Sequence, residues 1–318
     1  MKLARFESNG QPAIGVVSGD GIIKISDLLP EYTEMRQLAA AGPETLAKLE
    51  ELVTTAKPSI RLDGVKLLAP MERPHNFLAL GMNYRGHALE VLRHGIKLPA
   101  HQSWYNKATS CLSGPYDDID PGVTQQLDYQ VELGVAIGQT ARYVPREDAP
   151  KHVFGYFVAD DVTARDWQLH ATTYTLGKSF DTHGPIGPWI VTPDEIGDPH
   201  NLELRCYVNG ELRQRSNTEE MVSNIWSQIE YLSTAFALEP GDLLLTGTPE
   251  GVGHAMIPQQ HLKVGDVVRC EIEKIGFIEN KVVPSKAKRF PELVPLEYNL
   301  EEEANYSARR ADNLTSSR

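Results

Sequence analysis

The sequence predicts a mixed α/β, β-rich fold, on three observations. Strand-like stretches recur at 127–137, 153–159, 202–208 and 243–245, either alternating or continuously apolar. Turn residues such as Asn209-Gly210 and Gly265-Asp266 punctuate the chain beside such stretches. Helical composition or periodicity is confined to a few segments, chiefly 31–41, 44–55, 84–94 and 218–236. The 318 residues allow one large domain with an appendage, or two domains, and 41% hydrophobic content suffices for a core.

The first 68 residues read as a small α+β domain. Short strands are expected at Lys2–Phe6, Pro12–Val17 and Gly21–Ile25, separated by Ser8-Asn9-Gly10 and Gly19-Asp20-Gly21. Two helices follow, broken by Gly42-Pro43. Residues 69–290 form the second expected domain. There Phe77–Leu80 reads as a strand entering Gly81, where glycine permits a tight turn, and Tyr84–His94 reads as a helix. Residues 141–152 are a polar excursion with helical content. Met221, Ile225, Ile229 and Leu232 make an apolar stripe suited to core packing on the helix expected at 218–236. Strands are expected again at Leu262–Cys270 and Glu271–Ile278. Residues 291–318 are polar and lack a periodic apolar face, which reads as a tail.

The net charge of −12 argues against a nucleic-acid partner. No run of about 18 apolar residues is present to cross a membrane, and MKLARFESNG lacks a secretory apolar stretch. Cys111, Cys206 and Cys270 are odd in number, have no metal-like spacing and suit a reducing compartment. A cytoplasmic location is therefore expected.

Chemistry concentrates between 127 and 168. In a strand over 127–137, Gln130 and Glu132 share a face while Val131, Leu133 and Val135 face the other way. A buried carboxylate at Glu132 needs a partner, a proton or a metal. The strand at 153–159 ends in Asp160-Asp161. Gln130, Glu132 and Asp161 can form an oxygen-rich site for Mg2+ or Mn2+; equally, the first two can lie on a solvated face while the aspartates cap a helix. His87 and Glu90 share a helical face, as a proton-transfer dyad or as a surface ion pair. Arg165 can clamp a carboxylate or pair with Asp166. Lys178 can stabilise an oxyanion or sit at the surface. The glycines of TGTPEGVG can bring backbone amides and the Thr248 hydroxyl to a carboxylate ligand. Lys107 either lends positive potential to an acidic substrate or is a solvated amine.

The segments LALGMNYRGHALE (78–90), LDYQVELGVAIG (127–138), VADDVTARDWQ (158–168), LGKSFDTHGPIGP (176–188), LEPGDLLLTGTPEGVGH (238–254) and IEKIGFIENKVV (272–283) resemble those of the fumarylacetoacetate hydrolase family, in its order and spacing. The resemblance covers roughly residues 70–284. It implies a β-roll catalytic domain behind a small N-terminal domain, and a homodimer. It implies metal ligands at Gln130, Glu132 and Asp161, catalytic roles for His87, Glu90 and Lys178, and substrate contacts from Gln168 and Thr248, with Arg165 beside them. The family's first ligand pair is Glu-x-Glu, whereas this chain reads Gln130-Val131-Glu132. An amide oxygen binds Mg2+ more weakly than a carboxylate, so a weaker site is expected.

The reaction the resemblance implies is hydrolysis of a C–C bond in a small anionic 2,4-dioxo acid, giving pyruvate and a carboxylic acid. Its alternatives are an isomerase or decarboxylase of a 2-oxo acid through the same enolate, and a non-catalytic binding protein on the same fold.

Overall fold

The computed structural model describes residues 1–287. The chain opens with a three-stranded antiparallel meander, β1 (Lys2–Ser8), β2 (Gln11–Ser18) and β3 (Gly21–Lys24). Asn9 and Gly10 both take positive φ in the first turn, as a tight hairpin demands. Helices α1 (Met35–Ala40) and α2 (Pro43–Thr55) follow, and β4 (Ile60–Arg61) closes beside β3. Gly42 has φ of 81°, which ends the first helix and lets Pro43 start the second.

Next come β5 (Phe77–Gly81), α3 (Arg85–Arg93), β6 (Ser103–Asn106) and the short β7 (Leu112–Ser113) and β8 (Leu127–Asp128). The two central strands, β9 (Val131–Ile137) and β10 (Val153–Asp160), are buried along their whole length. Then follow β11 (Thr163–Ala164), α4 (Arg165–Gln168), β12 (Gly184–Val191), α5 (Pro193–Ile196), β13 (Glu203–Val208), β14 (Glu211–Asn217), α6 (Ile225–Ala235), β15 (Leu243–Leu245), β16 (Val267–Ile272) and β17 (Gly276–Lys281).

Eleven strands form one mostly antiparallel sheet in the order β4-β3-β2-β1-β12-β10-β9-β15-β5-β6, with β7 added beside β12. β1 pairs with β12, so the N-terminal meander extends the central sheet, and residues 1–286 form one compact unit. A second sheet, β14-β13-β16-β17, packs on one face of β9 and β10. There Leu133, Val135, Tyr156 and Val158 meet Leu204, Cys206, Val268 and Cys270. The opposite face carries Ala136, Phe157 and Ala159 into a second core with Phe77, Tyr105, Ile186 and Leu245. Gly134 lies on that face because Phe157 covers it; a Cβ there would come within 2.1 Å of the ring. The architecture is mixed α/β with a β-sheet core, as expected.

Three local readings change. The helix expected over 218–236 is confined to Ile225–Ala235, because Val222 and Ser223 donate their N–H groups to Asn83 and Asn224 caps the helix through Ser227 N. Strand β12 was not among the expected strands: two prolines and two glycines in eight residues are atypical of a strand interior. The strands expected to meet at 270/271 instead turn at 273–275, where Lys274 adopts φ of 64°. The tail expected over 291–318 lies outside the described residues. No helix among the described residues is long and apolar enough to cross a membrane.

Candidate active site

The β9–β10 ladder builds the floor of the site. Its register pairs Glu132 with Ala159 and Val131 with Asp160, and Asp161 N donates to the backbone oxygen of Gln130 at 2.9 Å. Residues directly opposite on an antiparallel pair share a face. Gln130, Glu132 and Asp161 therefore present oxygens to the same side, as the sequence spacing implies for the first two. Asp160 caps no helix; its Oδ1 accepts from Gln130 N at 2.7 Å and holds the strand entrance in place. Burial is the main reason its carboxyl is pushed up to about 7.

The oxygen cluster is filled by cations from the chain itself. Lys178 Nζ donates to Gln130 Oε1 and to Asp161 Oδ2. Lys107 Nζ lies 2.5 Å from Asp161 Oδ1, and the Tyr105 hydroxyl donates to Asp161 Oδ2. These side chains are essentially inaccessible to solvent. Burial opposes ionisation of Asp161, but the Lys107 and Lys178 charges override it and hold the carboxyl below its ordinary range. Glu132 goes the other way: burial and then the Asp161 charge raise it well above the usual carboxylate value. Gly247 N steadies its Oε2 at 2.7 Å. Burial pulls Lys178 down to about 8, with Asp161 opposing and the Arg165 and Lys107 charges adding to the fall. An ammonium near that value can give up and regain a proton at neutral pH.

A cavity of about 190 Å³ opens above this floor. Gly177 delivers Lys178 to it: its carbonyl accepts from Ala164 N at 2.7 Å, and a Cβ there would sit 2.3 Å from Gln168 N. Helix α4 supplies Arg165 and Gln168, whose side chains hydrogen-bond at 3.0 Å. Arg165 does not pair with Asp166. It donates from Nε to Asp128 Oδ2 at 2.9 Å, and Asp128 also accepts from Gly253 N and His254 N. Thr248 enters from the loop after β15, held by Gln214 Nε2 at 2.9 Å, while Gln214 Oε1 accepts from Val131 N. Helix α3 contributes His87, whose Nδ1 lies 3.0 Å from Glu90 Oε2; Gly251 N donates to the other Glu90 oxygen at 2.8 Å.

Of the ten residues singled out from the sequence, His87, Gln130, Glu132, Arg165, Gln168, Lys178 and Thr248 line this one cavity. Asp161 and Glu90 stand behind the wall, each bonded to a residue that lines it. Lys107 is a buried partner of Asp161. The sequence reading missed Tyr105, Asp128 and Gln214. Asp128 sits in the same LDYQVEL segment and offered a signal, being an acid next to a buried strand. Gln214 offered none, because it lies on an ordinary hairpin arm. Among the described residues no three His, Cys, Asp or Glu side chains are grouped to hold a metal. The donors that do converge, one amide and two carboxylate oxygens, are of the hard type that fits Mg2+ or Mn2+. Lys178 Nζ already donates to two of them, Gln130 Oε1 and Asp161 Oδ2.

Residues 76–283 match the family model described as fumarylacetoacetate (FAA) hydrolase C-terminal. The chain belongs to the fumarylacetoacetate hydrolase family. Residues 1–70 match a second model, Rv2993c-like, N-terminal. The chain is 41% identical over 291 residues to an oxaloacetate tautomerase (FAHD2B, mitochondrial) of Bos taurus, covering 89% of this chain and 92% of that protein. It is 38% identical over 286 residues to a 2,4-didehydro-3-deoxy-L-rhamnonate hydrolase of Sphingomonas sp. (strain SKA58), covering 89% and 96%. Among solved structures it resembles maleylpyruvate hydrolase from Sphingobium sp. SYK-6 in complex with manganese(II) and pyruvate, with a TM-score of 0.75, 32% identity and coverage of 90% and 100%. The family is one of enzymes acting on small 2-oxo and dicarbonyl acids. The expected cytoplasmic location is corrected by the tautomerase relatives: those of cattle, Xenopus laevis, rat and human are named as mitochondrial proteins. A count of three cysteines without metal-like spacing does not distinguish one compartment from another.

Proposed function

We propose that the protein is an enol–keto isomerase of a 2-oxo acid, moving one proton between the C2 oxygen and C3. This reading replaces C–C hydrolysis as the favoured reaction. The observation that carries it is the meeting, in one small cavity, of a buried lysine poised near neutral pH with a histidine oriented by a carboxylate. The oxaloacetate tautomerase relatives, about 40% identical, support the same reaction.

A divalent cation held by Gln130, Glu132 and Asp161 supplies Lewis-acid polarisation of the 2-oxo group when bound. The chain's own residues do the rest. The Thr248 hydroxyl, whose oxygen accepts from Gln214 and whose proton is thus left to donate, binds the carboxylate of the 2-oxo acid head. Glu90 accepts from His87 Nδ1–H, so Nε2 keeps its lone pair for the cavity. Going from keto to enol, His87 Nε2 takes a proton from C3, and the C3–H electron pair becomes the C2–C3 double bond. Lys178 stabilises the oxygen that gains charge and hands it a proton. His87 and Lys178 return to their starting states by exchanging protons with solvent. The reverse sequence gives the keto form, and no water is added to carbon.

The test is to follow decay of oxaloacetate enol by ultraviolet absorbance while assaying pyruvate. Accelerated decay without pyruvate release supports the proposal. Pyruvate and an acid released from acylpyruvates, with no acceleration of enol decay, would return the assignment to C–C hydrolysis. The His87–Glu90 pair can serve that reaction by activating water.

A further inference from the structure

Beyond the floor, the cavity wall is largely apolar, formed by Leu80, Met82, Val91, Ile96, Leu169 and Val252. Two histidines, His94 and His254, interrupt it. His94 is engaged through Nε2 with the backbone oxygen of Ala255 at 3.3 Å. His254 is held differently. Its backbone N–H is fixed by Asp128, the same carboxylate that fixes Arg165. Its Nδ1 lies 3.3 Å from His261 Nε2 and 3.3 Å from Gln259 Nε2, and the Gln259 amide nitrogen is a donor. Nδ1 is therefore the acceptor, and the proton sits on Nε2. That Nε2–H has no partner among the described residues, and it belongs to a ring that lines the cavity.

Arg165 lines the same cavity as Lys178 and His254. Its charge acts on Lys178 at the floor and on His254 at the rim. A short ligand whose 2-oxo acid head rests at Lys178 shares this small cavity with both Arg165 and His254, two groups able to meet its far end. Arg165 is already paired with Asp128 and Gln168, so His254 Nε2–H is the donor left over: an apolar far end gives it no partner, whereas a far-end carboxylate accepts from it beside the guanidinium charge.

We propose that His254 is the specificity-determining residue that reads the distal carboxylate of a short 2-oxo diacid, donating from Nε2 beside Arg165. The assignment rests on the isomerase reading for its substrate head.

The experiment compares kcat/KM for the enols of oxaloacetate and of phenylpyruvate, whose far end is uncharged, in the full-length protein and in His254→Leu. A hydrogen bond to a charged group predicts that the oxaloacetate-to-phenylpyruvate ratio falls by about 10- to 100-fold in the variant. A misfolded variant would lower both values together; a ratio within about twofold of the parent overturns the assignment. Protection against thermal unfolding by oxaloacetate and by pyruvate, with Mg2+ present, is measured on the same two proteins. If oxaloacetate protects the parent better than pyruvate and His254→Leu loses that advantage, the assignment stands even where neither enol is turned over, and only the isomerase reading falls. Equal advantage in both proteins overturns it.

Discussion

Replacing Asp161 by Asn removes the one carboxylate that both buried lysines share. Its two oxygens accept from Tyr105, Lys107 and Lys178, and the ion-paired side chains are at most 2% exposed. Removing one member of a buried ion pair costs about 3–5 kcal/mol, because the remaining charge stays desolvated. Two ammoniums are left here, which pushes the cost to the upper end. Two effects limit it: an amide oxygen still accepts from one lysine, and Lys178, already near 8, can shed its proton. The expected loss is therefore about 3–5 kcal/mol, seen as a lower urea midpoint at unchanged m-value near pH 7. Asp63→Asn is the control. Its pair with Arg61 is mostly exposed, and no measurable midpoint change is expected. A loss below about 1 kcal/mol for Asp161→Asn would refute the claim that Asp161 neutralises both lysines.

Other outcomes follow from the same geometry. Glu132→Gln should leave stability within about 1 kcal/mol, since Glu132 is held toward its protonated form, while Mg2+ affinity measured by titration calorimetry falls. Mg2+ binding equal to the parent's would remove Glu132 from the ligand set. Gly177→Ala places a Cβ 2.3 Å from Gln168 N, a backbone atom, so α4 and Lys178 must shift; turnover should drop more than about tenfold, and parental turnover would refute the positioning argument. His183, buried beside Phe180, is pushed down to about 3, chiefly by burial and then by the Lys107 charge. The unfolded chain therefore takes up this proton below about pH 6.5 while the fold does not, and stability falls by about 1.4 kcal/mol per pH unit between 6.5 and 3 from this group alone. In His183→Phe that slope should disappear, and an unchanged slope in urea titrations across this range would contradict the burial argument.

The site was legible where chemistry and spacing coincide on one strand. Gln130 and Glu132 are two apart in a buried alternating run, so their common face follows from the pleat alone. Asp161 joined them through a register that the sequence does not state but the ladder enforces. The His87–Glu90 spacing sufficed because both lie on one helix. What stayed hidden depends on distant parts of the chain. Tyr105 lies in the edge strand β6 and Lys107 directly after it, some fifty residues before Asp161, and nothing local to Lys107 tells which of its two readings, site cation or solvated amine, applies. Gln214 reaches the site only because the second sheet packs over β9. Strand β12 was masked by prolines that its neighbours tolerate, and its absence from the reading hid how the N-terminal meander continues the sheet.

The most direct measurement is the rate of oxaloacetate enol decay with the intact protein, set beside Lys178→Met and His87→Gln and accompanied by a pyruvate assay. The account predicts fast decay without pyruvate in the parent and a loss of about 100-fold or more in either variant. Parental decay no faster than buffer, or variants as fast as the parent, would contradict the proton-transfer role of this cavity.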